Sequence, residues 1–327
     1  MKPKVVVTRK LPDQAIEMLA PYCELDIWPA EDEPIPRKVL EQNIRDADGL
    51  YCLLTDTIDQ TLLDQAHRLR VISNMAVGYN NIDVGAASRR RIMVTNTPDV
   101  LTETTADLTF ALLMATARRI VEAERFLRNG EWRTWSPMLL TGQDIYGATM
   151  GIIGLGRIGS AVARRACGFN MRVMYHSTHR NELAEQELGV EYARLDELLS
   201  QSDFVVIMTP LTPQTRNLIG ARELALMKPT AVLINAARGG IVDEQALYDA
   251  LKSGVIWAAG LDVFEQEPAM PDHPLLSLPN VTALPHIGSA SIRTRVRMAK
   301  LAAENLLDGL AGKVPKCLVN KEVMEEN

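Results

Sequence analysis

The sequence predicts an α/β chain of two doubly wound, parallel-sheet domains, one inserted in the other, and three observations carry that expectation. Strand-like and helix-like runs alternate from Lys4 to Asn96, a second alternating series begins near residue 149, and this second series opens on a glycine-rich turn, Gly154-Leu155-Gly156-Arg157-Ile158-Gly159. Such alternation means parallel strands joined by crossover helices. At 327 residues, 47% hydrophobic and 23% charged, the chain is long enough for two domains and ordinary in composition for a globular protein.

Taken in order, the first series reads KVVVT from Lys4, a helix over Pro12 to Leu19, ELDIW from Glu24 and a helix over Arg37 to Ile44. It continues with GLYCLL from Gly49, a helix over Asp59 to Ala66, RVISNM from Arg70, a helix over Asp83 to Arg89, and IMVTN from Ile92. Pro98 interrupts it, and Val100 to Arg118 then predicts a long helix with Leu101, Leu108, Leu112 and Ala115 on one side, suited to an inter-domain or inter-subunit strut. The second series runs through TMGII from Thr149, MRVMY from Met171, FVVIMT from Phe204, AVLINA from Ala231, WAAGLDV from Trp257 and VTAL from Val281. Several of these are continuously apolar, as strands covered on both faces are. Asp243 is the expected N-cap of a helix over Glu244 to Ser253, with Gly254 as its C-cap. A last amphipathic helix over Ser291 to Leu310 has Val296, Ala299, Ala303, Leu306 and Leu310 as its buried stripe. It is expected to cross back and complete the first domain, giving 1–99 plus 287–327 as one domain and 100–286 as the other.

Charge and cysteine usage exclude several function classes. A net charge of -6 with no strong basic patch argues against nucleic-acid binding. Cys23, Cys52, Cys167 and Cys317 are widely spaced with no C-x-x-C pair, so neither a metal site nor a disulfide framework is expected, and a reducing cytosol fits. The apolar run in MKPKVVVTRKL is too short for a signal-peptide core, and stretches such as Phe110 to Ala115 are far short of a membrane span. These features place the chain in the cytoplasm.

The glycine turn points to a dinucleotide because of its flanks. TMGII precedes it as a short buried strand, and Ile158, Ala161, Val162 and Ala166 follow at helical spacing. In that setting the first glycine permits a tight turn, the second lets the backbone approach a pyrophosphate, and the third lets helix pack on strand. The phosphates then lie on the helix N-terminus, where unpaired N–H groups favour an anion. The residue about twenty positions further on selects the cofactor: an acid there holds the ribose 2′-OH of NAD, and an arginine accommodates the 2′-phosphate of NADP. After MRVMY the chain reads His176-Ser177-Thr178-His179-Arg180, with no acid. Ser177, Thr178 and Arg180 are therefore candidate phosphate ligands, which favours NADPH and leaves NADH open.

Three further residues stand just beyond strand candidates: Arg238 after AVLINAA, Glu267 after GLDVFEQ and His286 after VTALP. In open α/β sheets ligands bind beyond the carboxyl ends of the strands, so residues far apart in sequence can converge there. Arg238 suits a carboxylate fork and carbonyl polarisation. His286 suits proton donation as hydride arrives, with Glu267 holding the ring and favouring its charged form. Of the other histidines, His67 is placed on a helix face, His176 and His179 beside the cofactor phosphate, and His273 in a proline-rich loop.

With these stretches in view, the sequence resembles the D-isomer-specific 2-hydroxyacid dehydrogenases. The matching segments are VGYNNIDV at 77–84, TPDVLTETTADLTFALLM at 97–114, GIIGLGRIGSAVARR at 151–165, INAARGGIVDEQAL at 234–247, AAGLDVFEQEP at 258–268 and LPHIGSAS at 284–291. Within the family the likeness is greatest to the glyoxylate/hydroxypyruvate reductases, in PDVLTETTADL, the Trp132 and Trp135 segment, and HIGSAS. The resemblance implies a Rossmann nucleotide domain inserted in a flavodoxin-like substrate domain, with Arg238, Glu267 and His286 as catalytic arginine, relay acid and acid/base histidine. It also implies that the Val77 and Gly78 N–H groups bind the substrate carboxylate and that Asp262 orients the nicotinamide carboxamide. Thr209, Pro210, Thr215, Ala236 and Gly288 fall where the family contacts the dinucleotide, and a homodimer through the cofactor domain is implied. Ser136 to Leu140 carries aliphatics where some relatives have a bulky aromatic.

The expectation is thus NADPH-dependent reduction of a small 2-oxo acid, glyoxylate or hydroxypyruvate. The rivals are a dinucleotide-sensing, corepressor-like binding protein and a short-form phosphoglycerate dehydrogenase. The close of the chain soon after its last helix weighs against the first, and the lack of an appended regulatory segment against the second.

Overall fold

The computed structural model describes residues 2–325, and these form two compact units, 2–101 with 290–325, and 102–289. The first contains β1 (Lys4–Val7), β2 (Glu24–Ile27), β3 (Gly49–Cys52), β4 (Val71–Asn74) and β5 (Met93–Thr95), all parallel, in the order β2-β1-β3-β4-β5. This is the flavodoxin-like winding. Its strands are short because each needs only to bury a run such as Val5, Val6 and Val7, all three fully enclosed.

The helix Ile292–Leu310 returns from the end of the chain to cover β3 and β4. Small residues let it come close: a Cβ on Gly309 would lie 2.7 Å from the Val71 side chain. Two buried hydroxyls also meet its backbone, Tyr51 donating to the Ala299 carbonyl at 3.1 Å and Ser73 to that of Ala302 at 2.7 Å. Of the expected stripe, Val296 is only half-buried, and Met298 and Ala302 are enclosed instead. The helix expected over Asp59 to Ala66 is the single turn Gln60–Leu63, capped by Asp59. His67 consequently lies in a turn beyond it rather than on a helix face.

The second unit contains β6 (Thr149–Ile153), β7 (Arg172–His176), β8 (Glu191–Tyr192), β9 (Phe204–Ile207), β10 (Val232–Asn235), β11 (Ala258–Leu261) and β12 (Val281–Ala283). They pair in parallel in the order β12-β11-β10-β9-β6-β7-β8. Counted from β6, this is the 3-2-1-4-5-6 order of the doubly wound dinucleotide fold with one strand added. Strand β8, two exposed residues at the edge, has no counterpart in the sequence expectation, because so short a run carries no periodicity. The helix Glu244–Lys252 is N-capped by Asp243, whose carboxylate accepts the Ala246 N–H at 2.9 Å; Ser253 is its C-cap and Gly254, at φ 72°, follows it.

The long helix spans Thr102–Ala117 and is a core element of the second unit. Leu108 and Ala115 are half-buried, Leu101 belongs to the other unit, and the enclosed face includes Thr105, Thr109 and Thr116 beside Leu112 and Leu113. Threonines can be buried there because their hydroxyls bond back along the helix, Thr109 to the Thr105 carbonyl at 2.7 Å and Thr116 to that of Leu112 at 2.8 Å. Gly260 on β11 makes room for this face, since a Cβ there would stand 2.6 Å from Thr116 Oγ1.

The boundaries fall at 101/102 and 289/290 instead of 99/100 and 286/287. The second shift has a clear cause. The carboxylate of Asp262 takes the N–H groups of Ile287 and Gly288 at 2.7 and 2.8 Å, which ties that turn to β11.

Candidate active site

Two neighbourhoods along the carboxyl edge of the second sheet hold all the sequence-predicted residues except Val77 and Gly78. The first is the turn after β6. Gly154 sits at φ 99°, and a Cβ on it would lie 2.7 Å from the Thr209 backbone nitrogen, so this position requires glycine. A Cβ on Gly159 would lie 2.2 Å from the Gly154 carbonyl oxygen, whereas one on Gly156 would meet nothing within 4 Å. The first and third glycines are therefore demanded by the fold, and the second leaves open space. The helix Arg157–Cys167 starts at Gly156 with no side-chain cap, which leaves first-turn N–H donors for a ligand. An exposed, uncapped N-terminus beside an open glycine fits a pyrophosphate. Gly159→Ala is expected to cost about 1–3 kcal/mol through overpacking and to weaken dinucleotide binding. Melting temperatures with and without NADPH check this, and an unchanged pair would show that the turn can relax.

The turn after β7 is stitched to the glycine turn. Leu155 N–H donates to Ser177 Oγ at 2.8 Å, and Asn181 Nδ2 donates to the Leu155 carbonyl at 3.3 Å. Ser177 thus accepts from the glycine turn while keeping its own proton to donate. Thr178 Oγ1 lies 3.2 Å from His179 Nδ1. The guanidinium of Arg180 forks onto Glu185, Nε to Oε1 at 3.1 Å and Nη2 to Oε2 at 2.5 Å, above the ring of Tyr192. Sequence reasoning singled out Arg180 but missed Glu185, Asn181 and Tyr192. The acid lies five positions on, in the helix Glu182–Leu188, where it reads as an ordinary first-turn carboxylate.

Thr209 and Pro210 follow β9. Thr215 donates from Oγ1 to the Pro210 carbonyl at 2.7 Å and accepts the Thr212 N–H at 2.7 Å, so it shapes the loop that backs the glycine turn. Ala236 is enclosed at the end of β10.

The second neighbourhood joins the ends of β10, β11 and β12. His286 Nδ1 lies 2.6 Å from Glu267 Oε2, with the two side chains 24% and 25% exposed. Burial works to raise the Glu267 carboxyl, but the hydrogen bond and charge of His286, the Phe264 N–H at 3.1 Å and the charge of Arg238 outweigh it and hold it below the ordinary glutamate value. His286 occupies the left-handed region at φ 53°, its N–H bonded to the Asp262 carbonyl at 2.8 Å. Histidine tolerates that region better than most residues, but it must be held there.

Asp262 does the holding. With Ile287 and Gly288 N–H on its two oxygens, its carboxylate fixes the turn that carries His286. Burial pushes its carboxyl up, against the pull of those donors and of His286. Each oxygen accepts one backbone N–H and keeps room for a further donor, so the structure shows Asp262 as an anchor. Asp262→Ala leaves two N–H groups unpaired and is expected to cost about 1–3 kcal/mol for each, lowering both melting temperature and turnover.

Arg238 is placed by Asn235, which accepts the Ala237 N–H at 3.1 Å and donates to the Arg238 carbonyl at 2.9 Å. Asn235, the last residue of β10, was not singled out in the sequence. Burial lowers the Arg238 pKa, and the charge of Glu267 opposes this. The turn lies flush on the next loop, because a Cβ on Gly239 would stand 1.8 Å from the Phe264 carbonyl oxygen. Arg238, Glu267 and His286 therefore share one edge of one sheet.

Val77 and Gly78 belong to the first unit, after β4. The Thr97 N–H holds the Ala76 carbonyl and Asn96 Nδ2 holds that of Val77, both at 2.8 Å. A planar peptide held at its oxygen is also held at the next nitrogen, so the N–H vectors of Val77 and Gly78 are fixed in advance.

The family described as D-isomer specific 2-hydroxyacid dehydrogenase, NAD binding domain, matches residues 110–288. The chain is 53% identical to the glyoxylate reductase of Korarchaeum cryptofilum (strain OPF8) over 326 residues, covering 99% of this chain and 98% of that protein. Among solved structures, a protein from Thermus thermophilus aligns with a TM-score of 0.90 at 45% identity, covering 97% of this chain and 99% of that one. The NADPH-dependent glyoxylate/hydroxypyruvate reductase of Sinorhizobium meliloti, in complex with NADP and malonate, aligns with a TM-score of 0.87 at 35% identity, covering 100% and 99%. With its two parallel-sheet units, its glycine turn and these full-length matches, the chain belongs to the D-isomer-specific 2-hydroxyacid dehydrogenases, and residues 110–288 are that family's NAD-binding domain.

Proposed function

We propose that this protein reduces a short 2-oxo acid, glyoxylate or hydroxypyruvate, to the 2-hydroxy acid, with NADPH as preferred and NADH as alternative reductant. The observation that carries this is the 2.6 Å His286–Glu267 pair on the same sheet edge as the glycine turn. The relatives named above, one a glyoxylate reductase and one acting on both substrates, support it. When bound, the dihydronicotinamide supplies a hydride to the carbonyl carbon. His286, with Nδ1 committed to Glu267, gives the proton on Nε2 to the carbonyl oxygen as negative charge builds there. Glu267 keeps the ring in one orientation and tautomer. Arg238 forks onto the substrate carboxylate and polarises the adjacent carbonyl; by the family resemblance, the Val77 and Gly78 N–H groups of the first unit are carboxylate donors. Thr209, Pro210, Thr215, Ala236 and Gly288 complete the dinucleotide contacts.

The preference for NADPH rests on Ser177, Thr178 and Arg180 following β7 with no carboxylate among them. A homodimer is part of the same reading. The amphipathic helix Ile120–Arg128 buries none of its residues, and Trp132, Trp135 (75% exposed), Met138 and Tyr146 follow it exposed. Apolar surface concentrated in one segment favours a partner. The free cysteines, Cys23 and Cys52 among them buried, suit the cytoplasm. Among the described residues no helix is long and apolar enough to cross a membrane.

The deciding assay follows nicotinamide absorbance with NADPH and NADH against glyoxylate, hydroxypyruvate, pyruvate and phosphohydroxypyruvate. Turnover is expected with the first two, at lower KM for NADPH. Loss of all four activities in folded protein would overturn the enzymatic reading in favour of a dinucleotide sensor, and preference for phosphohydroxypyruvate would make it a phosphoglycerate dehydrogenase.

A further inference from the structure

We propose that Glu185 sets how strongly this protein prefers NADPH over NADH, by sharing the Arg180 guanidinium with the ribose 2′-phosphate. The inference rests on the reading of Arg180 as a phosphate ligand. Three observations carry it. The Arg180 fork is already taken by both oxygens of Glu185, although 58% of the arginine side chain is exposed and within reach of a ligand. Glu185 is itself fixed: its Oε1 accepts the hydroxyl of the fully buried Tyr175 at 2.5 Å, so it is not a surface carboxylate that happens to meet an arginine. Finally, the turn bearing Arg180 is bonded to the glycine turn through Ser177 and Asn181, which puts the ion pair where the adenosine ribose approaches.

The consequence is electrostatic. A 2′-phosphate brings about -1.5 to -2 charges at neutral pH. It meets a guanidinium whose charge Glu185 largely offsets, and it meets the Glu185 carboxylate beside it. NADH brings a neutral hydroxyl and feels neither effect. Glu185 thus penalises NADPH alone and narrows the advantage that Arg180 confers. Tyr192 beneath the guanidinium holds it in place for either partner.

The test is calorimetric binding of 2′,5′-ADP and of ADP, which needs no turnover, together with KM values for NADPH and NADH. Glu185→Gln keeps an acceptor for Tyr175 but removes the charge. It is expected to lower the Kd for 2′,5′-ADP and the KM for NADPH by about two- to five-fold, the effect of an exposed charge pair. ADP and NADH should be unaffected. The gain should shrink in about 0.5 M salt, well above physiological ionic strength, since exposed charges are screened. It should shrink in an Arg180→Gln background, where only the direct repulsion between carboxylate and phosphate is left for Glu185→Gln to remove. If Arg180→Gln weakens 2′,5′-ADP binding but Glu185→Gln leaves it unchanged, Glu185 plays no such part and the proposal falls while the Arg180 reading stands. If Arg180→Gln leaves 2′,5′-ADP binding unchanged, both fall. Equal changes for 2′,5′-ADP and ADP would reveal a structural role and overturn the proposal too.

Discussion

His286→Asn is expected to lower kcat by about 10²–10⁴-fold, the usual contribution of a positioned general acid, while leaving the fold intact. Asparagine is the informative replacement because position 286 lies at φ 53°. Asparagine enters the left-handed region readily, whereas alanine would add backbone strain of roughly 1–2 kcal/mol and confuse a chemical defect with a folding one. The backbone bond from residue 286 to Asp262 and the Ile287 and Gly288 anchors do not involve the imidazole, so the turn should persist. The measurement is kcat together with melting temperature. A folded variant with wild-type turnover would remove His286 from the chemistry.

The same pair predicts a pH response of stability at the acid end. The Glu267 carboxyl is held below its ordinary value of 4.5, and a carboxyl depressed by folding adds stability that is complete above its unfolded value and is lost as pH falls through its folded one. Denaturant unfolding from pH 6 downward should therefore show a loss of stability below the ordinary value that Glu267→Gln does not show. If wild type and variant decline in parallel, the pair does not couple to folding.

Arg238→Lys should lower kcat/KM by about 10²–10³-fold, comparable to the loss of one donor to a developing oxyanion. Lysine keeps the charge and loses the fork, so it cannot hold a carboxylate at two points while reaching the neighbouring carbonyl. Both parameters should move: KM rises because the carboxylate is gripped in the ground state, and kcat falls because the carbonyl is polarised in the transition state. A rise in KM alone would restrict Arg238 to binding. Its environment sharpens the expectation, since burial lowers the Arg238 pKa while the Glu267 charge opposes this. A lysine, which loses its proton more readily when buried, fits that position poorly.

Particular elements show where sequence reasoning reached and where it stopped. Thr149–Ile153 agrees residue for residue with its expected strand, because a buried strand ending in a glycine turn leaves both an apolar run and a stop signal. The Thr102–Ala117 helix was found, but its buried face only in part: Leu112 is enclosed as expected, Leu108 and Ala115 are half-buried, and Thr109 and Thr116 turn inward with their hydroxyls satisfied along the helix. Strand β8 was missed for want of length. Around the site, Arg238, Glu267 and His286 were legible as candidate groups at strand ends, and Asp262 through the resemblance, but the bonds that hold the turns in place were not. Asn235 acts through a local side-chain bond, and the carboxylate of Asp262 closes on donors 25 and 26 positions away.

By itself, the sequence determined the winding of two parallel sheets, the glycine turn and the residue types able to do the chemistry. These depend on local periodicity and on backbone demands that only glycine, or a particular charged group, can meet. Only the tertiary structure decided what each group is paired with: His286 on Glu267, Asp262 on two backbone donors, and Arg180 on a glutamate anchored by a buried tyrosine. Pairing is a matter of distances of about 3 Å between atoms brought together by packing, and a sequence records the members of a pair without recording their distance.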